Sequence, residues 1–245
     1  YLNDISYMNS KIRNIDKYTF NKQMALPLTF KTIKNRENFI ISKCNEDALN
    51  FIENSSFWQN KRKINSIPAA IIFGPKGSGK THLSHIFKER NRCEYLSSLS
   101  SFNLDEIEEG KKFIIDDFIP GEKYPSKLVM HFLNRVTYQD GSVLFLSNLS
   151  PSKMDWKLDD LNSRIRSLIC SEIKLPDDVL LYSFMVKYSN DKKLFIDDKQ
   201  LIYILERINR NFDSVIKVID KLDTHSLETK KKISYKIIKS ILSEI

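Results

Sequence analysis

Gly74-Pro75-Lys76-Gly77-Ser78-Gly79-Lys80-Thr81 fits the phosphate-binding pattern G-x-x-x-x-G-K-[ST]. Its flanks decide what fold carries it. Ile67-Pro68-Ala69-Ala70-Ile71-Ile72-Phe73 is a short apolar run, as expected of a buried parallel strand. Beyond the loop, Leu83, Ile86 and Phe87 recur at helical spacing. Strand, loop and helix therefore follow in the order the chemistry requires. Glycines let successive N–H groups turn inward onto phosphate oxygens at the positive end of a helix. Lys80 supplies a mobile charge for the outer phosphates, and Thr81 offers a hydroxyl to Mg²⁺. Of only 6 glycines in the chain, three fall in this loop. A nucleoside diphosphate or triphosphate is the expected ligand.

Working outward, strand-like and helix-like stretches alternate. Residues 45–53 place Ala48, Leu49 and Ile52 on one helix face. Cys93–Ser97 and Lys111–Asp117 read as strands, the second apolar until it ends in Asp116-Asp117. Residues 126–138 form an amphipathic helix with Leu128, Val129, Phe132, Leu133 and Val136 together. Ser142–Asn148 is a further buried strand, and Ser167–Ile173 a candidate fifth. This alternation predicts an α/β domain with a parallel sheet flanked by helices. From Pro176 the pattern is helical only. Asp177 or Asp178, Asp197 and Ser234 are candidate caps, and Val215, Ile216, Val218, Ile219 and Leu222 share one face. The expectation is a small all-helical domain over 176–245, following an α/β domain over 29–175.

Three positions beyond the loop carry candidate chemistry. Asp116 and Asp117 end Phe113-Ile114-Ile115 in the form of a Walker B element: Asp116 is placed for Mg²⁺ and Asp117 to orient water. Asn148 ends the next strong strand, where it either reaches the γ-phosphate and attacking water or simply terminates the strand before Pro151. Arg164, in Leu161-Asn162-Ser163-Arg164-Ile165, is a candidate finger facing a neighbouring subunit's nucleotide, with Arg166 beside it.

Composition bounds the rest. Of 245 residues, 41% are hydrophobic and 29% charged, which suits a globular protein. Apolar runs fall far short of a membrane span, no signal peptide opens the chain, and Cys44, Cys93 and Cys170 lack metal spacing. A cytoplasmic protein with reduced thiols is expected. The net charge of +8 is concentrated partly in residues 1–35, and residues 1–22 read as a loose basic arm. Pro27 in Gln23-Met24-Ala25-Leu26-Pro27-Leu28 favours an extended backbone on both sides.

Taken in this order, the motifs resemble the AAA+ module of the DnaA family of bacterial replication initiators. GKTHLSHIF resembles the loop helix of that family, FIIDDF its Walker B strand and LDDLNSRI its finger segment. Phe39–Glu46 resembles the segment lining the adenine pocket, which implies that Ile40 and Ile41 contact the base. The likeness covers residues 29–245 and implies ATP or ADP with Mg²⁺ as cofactors. Two departures stand out. The sequence ends after the helical domain, without the initiator's helix-turn-helix. The position matching the lid's sensor arginine is Asp213, with Arg210 three residues earlier as a substitute.

The first departure points to the short DnaA homologues of the Hda type. QMALPL then resembles their clamp-binding peptide, with Gln23, Met24, Leu26, Pro27 and Leu28 as the contacting residues. The resemblance implies a clamp-tethered regulator that stimulates ATP hydrolysis by the initiator DnaA. Its DNA contact would be indirect through the sliding clamp, its own turnover weak, and a homo-oligomer open. The alternatives are an autonomous AAA+ or helicase-loader-like ATPase and an adaptor whose basic arm binds DNA.

Overall fold

A computed structural model of the protein describes residues 34–53 and 68–244. The basic arm (1–22) and the QMALPL segment (23–28) lie outside the described residues.

Five parallel strands form the central sheet in the order β2-β3-β4-β1-β5. They are β1 (Ala69–Phe73), β2 (Glu94–Leu96), β3 (Lys112–Ile115), β4 (Ser142–Ser147) and β5 (Ile169–Glu172). Successive side chains of a strand point to opposite faces, and the inner strands use both. Ala69, Ile71, Phe113, Ile115, Val143 and Phe145 enter one core; Ala70, Ile72, Ile114, Leu144 and Leu146 enter the other. Helix α1 (Glu46–Glu53) and helix α2 (Lys80–Asn91) cover the second core with Leu49, Ile52, Leu83 and Phe87. Helix α3 (Ser126–Tyr138) and helix α4 (Asp159–Ser167) cover the first with Val129, Phe132, Leu161 and Ile165.

The fifth strand differs from the buried ones. It lies at the sheet edge, beside β1 alone, and Ile169 is 51% exposed. Ser167, expected at its start, instead ends α4.

The helical domain packs α5 (Asp178–Asp191), α6 (Asp198–Leu205), α7 (Phe212–Thr229) and α8 (Tyr235–Leu242) around its own core of Leu181, Met185, Ile204, Val218, Ile219 and Ile238. Its helix starts are chemically marked. Asp177 accepts from Leu180 N at 2.7 Å, and Asp197 forms a reciprocal capping box with Gln200. Ser234 precedes α8 without a side-chain cap bond. No helix among the described residues is long and apolar enough to cross a membrane.

Candidate functional site

In an open parallel sheet, ligands bind outside the carboxyl ends of the strands where connections diverge. Here β1 stands between β4 and β5, and β4 between β1 and β3. The carboxyl ends of β1, β4 and β3 therefore present the phosphate loop, Asn148 and Asp116-Asp117 side by side.

The loop is shaped by what surrounds it. A Cβ on Gly74 would lie 2.0 Å from the Ile173 carbonyl oxygen, so only glycine allows the loop to leave β1 this close to the end of β5. Gly77 has φ +76, and a Cβ there would lie 2.9 Å from Cβ of Asn211. Lys80 is buried, its Nζ donating to the carbonyls of Gly74 at 2.7 Å and Pro75 at 2.8 Å. Burial lowers its pKa, against the opposing pull of Asp116 and Asp117. Pro75 and Lys76 are exposed on the outer rim.

Residues distant in sequence meet at the strand ends. Thr81 Oγ1 donates to Asp116 Oδ2 at 3.2 Å, and Asn148 Nδ2 donates to Asp117 Oδ1 at 3.4 Å. Asp117 sits at φ 55, and its N–H donates to Asp116 Oδ1 at 2.8 Å. Tyr124, which the sequence did not single out, anchors this corner by donating from its hydroxyl to the Asp116 carbonyl at 2.9 Å. Burial and the two neighbouring aspartates push that phenol up to about 12, so it remains a donor.

Ile40 is half-buried and Ile41 is 47% exposed, on the segment preceding α1. That segment is tied to the loop helix: His82 Nε2 lies 2.8 Å from the Asn35 carbonyl, and its ring meets Phe39 edge-on. Arg164 lies on α4, where it donates from Nη1 to Asn134 Oδ1 of α3 at 2.5 Å. It is thus on the opposite core layer from the loop helix.

The helical domain closes over the loop. Phe212 N donates to the Gly77 carbonyl at 3.4 Å, and Asp213 Oδ2 lies 3.5 Å from where a Gly77 Cβ would stand. Asn211 caps α7 by accepting from Ser214 N at 2.8 Å. The expectation that Arg210 substitutes on the face of Asp213 is corrected. Because α7 starts only at Phe212, Arg210 precedes the helix, and its guanidinium pairs with Asp178 at 3.1 Å.

The arrangement fits a polyphosphate. The hydroxyl of Ser78 is buried with no hydrogen-bond partner among the described residues. The 12-residue helix α2 begins at this point with no acidic residue in its first turn. Thr81 and Asp116 together fit Mg²⁺, which keeps most of its shell as water and phosphate oxygen.

Residues 173–242 match the family described as "Hda, lid domain". An uncharacterised Haemophilus influenzae protein is 23% identical over 91% of this chain and 99% of its own. The chromosomal replication initiator protein DnaA of Helicobacter acinonychis is 20% identical over 99% of this chain and 54% of its own. Domain III of the Thermotoga maritima DnaA superposes with a TM-score of 0.71 at 18% identity, covering 87% of this chain and 97% of that one. The chain shares the fold of the DnaA AAA+ module and carries a segment similar to the Hda lid domain. AMPPCP-bound DnaA from Aquifex aeolicus shares the fold at a TM-score of 0.58 and 22% identity, over 79% of this chain and 67% of that one. This DnaA-like chain spans about half the length of the DnaA relatives it matches. Within the DnaA-like frame, the helical domain is the lid, and its matched span begins at Ile173, the residue whose carbonyl abuts Gly74.

Proposed function

We propose that this chain is a DnaA-related regulator of replication initiation, which binds an adenine nucleotide with Mg²⁺ and stimulates ATP hydrolysis by DnaA while tethered to the sliding clamp. The carrying observation is the lid seated on the phosphate loop, with Asp213 where an arginine sensor was expected. A carboxylate facing the loop disfavours a third phosphate. The chain then holds a diphosphate and presents a nucleotide-dependent shape, rather than turning over its own ATP.

When bound, the nucleotide supplies a polyphosphate anion and Mg²⁺ a compact countercharge. The chain's own residues do the rest. Backbone N–H groups from Gly77 to Thr81 and Lys80 receive the phosphates, Thr81 and Asp116 hold Mg²⁺, and Ile40 and Ile41 face the base. Asp117 and Asn148 meet at the strand ends, which supports their acting together on the outer phosphate. Arg164, held by Asn134, is offered as the finger for DnaA's nucleotide. Gln23, Met24, Leu26, Pro27 and Leu28 supply the clamp peptide, which works by raising effective concentration.

The test uses full-length purified protein. Lys80→Ala is expected to weaken Mg-ADP binding about 10- to 100-fold by calorimetry, the loss of charge-assisted hydrogen bonds. DnaA turnover is expected to rise on adding the chain with DNA-loaded clamp and to lose that rise in Arg164→Ala and in the triple alanine variant of Gln23, Leu26 and Leu28. Clamp pull-down that retains the triple variant as well as wild type would sink the tether. Strong ATP turnover by the chain alone, abolished by Lys80→Ala, would instead establish an autonomous ATPase.

A further inference from the structure

The lid carries a second charged feature, at the opposite end of α7 from the phosphate loop. A groove of about 650 Å³ is lined by Lys193, Phe195, Asp197, Lys230, Lys231 and Lys232 among others. It gathers four lysines against one aspartate, and that carboxylate is already engaged in capping α6, accepting from Gln200 N at 2.8 Å. None of the four lysines is ion-paired among the described residues. By contrast, neighbouring Lys192 is buried against Asp220 and Asp223. Lys193 and Lys230 follow the carboxyl ends of α5 and α7, where one cation per helix offsets the dipole. Four exceed that need. Dipole compensation also leaves Phe195 unexplained, an aromatic ring 88% exposed between Leu194, which is buried, and Ile196, which packs on the lid core.

We infer that this groove binds single-stranded nucleic acid, with one base stacked on Phe195 and phosphates on Lys193 and Lys230 to Lys232. Exposed aromatic faces flanked by lysines bind any base by stacking while the cations follow the backbone. The lysines and Phe195 lie on the connections that follow α5 and α7, not on a helix or ribbon that could enter a duplex groove. An acidic peptide would use the charges but not the exposed ring. A single strand uses both, and this surface lies on the lid.

The full chain is titrated into fluorescein-labelled dT15 and rU15, whose comparison separates DNA from RNA, at several salt concentrations. Wild type is expected to bind with a log–log salt slope of roughly −3 from four phosphate contacts, and to prefer single strands over duplex. Phe195→Ala is expected to weaken binding about 10-fold, the loss of one stacked base. Lys193→Gln/Lys231→Gln is expected to flatten the slope by about 1.4. Unchanged helical circular dichroism and Mg-ADP affinity certify the fold of both variants. Unaltered binding by Phe195→Ala, preference for duplex, or binding only to phosphatidylserine vesicles would overturn the inference. So would its loss on replacing Lys11, Arg13 and Lys17 while the groove variants still bind. The assay contains neither DnaA nor clamp, so its outcome is independent of the regulatory reading.

Discussion

The sheet domain and the lid solve the problem of placing polar side chains in opposite ways. At the strand ends, Thr81 meets Asp116 across 35 residues and Asn148 meets Asp117 across 31. In the lid, Asp177, Asp197 and Asn211 each bond a backbone N–H three residues on. Strand order dictates the first set, so the site exists only once the whole sheet has formed. Local capping dictates the second, and the lid has an apolar core separate from the two beneath the sheet. The lid is therefore built to hold its shape as a unit while its grip on the loop, through Asn211, Phe212 and Asp213, changes.

The strongest test removes one core at a time. Phe132→Ala in the sheet domain should cost about 3–5 kcal/mol and Ile219→Ala in the lid about 2–5 kcal/mol, both residues being fully buried. Hydrogen exchange should accelerate across α5 to α8 in Ile219→Ala while β1 and β4 stay protected. Equal acceleration in both domains would erase the distinction. Gly77→Ala comes next. A side chain at φ +76, crowding Asn211, should cost about 1–3 kcal/mol and loosen the lid's first turn together with nucleotide affinity. Asn211→Ala and Asp177→Ala each lose one cap bond, about 1 kcal/mol. Only the first should also weaken Mg-ADP binding, because only that cap touches the loop.

The smallest effect is a pH dependence. Burial holds the His82 imidazole below its ordinary value, with Lys34, His85 and Lys187 acting the same way and the Asn35 carbonyl opposing. The unfolded chain therefore takes up the proton first. The neutral ring's contribution is complete above about pH 6.5 and is lost as pH falls through that value toward the lower folded pKa. Melting temperature should drop between about pH 7.5 and about pH 5.5, and drop less in His82→Gln. An equal drop in both would remove His82 from the link between α2 and the segment before α1.

How much of this was legible depends on how each element is stabilised. Helix α3 spans the predicted 126–138 because its buried residues recur at helical spacing. Helix α4 was unreadable. It buries only Leu161 and Ile165, and Leu158 ahead of it offers no capping oxygen. Leu161 and Ile165 pack into the core that α3 also covers, a contact no local pattern records. The exposure of β5 follows from edge position, a property of strand order. Within the site, the motif residues were legible because each carries its own chemistry. Tyr124 was not, since its hydroxyl acts on the Asp116 backbone carbonyl, and the approach of Asn211 to Gly77 depends on how the lid meets the loop. Arg210 was misplaced by a single fact, the start of α7 at Phe212.

Helix α7 has a mechanical consequence. Its 18 residues form a rod about 27 Å long whose first residue is bonded to the Gly77 carbonyl, so that any swing of the lid there turns the whole rod. Swinging such a pointer by about 10° at that end carries its tip about 5 Å, enough to bring one partner within reach or take it out. A displacement too small to notice at the phosphates would thus be read out as a large one at Lys230.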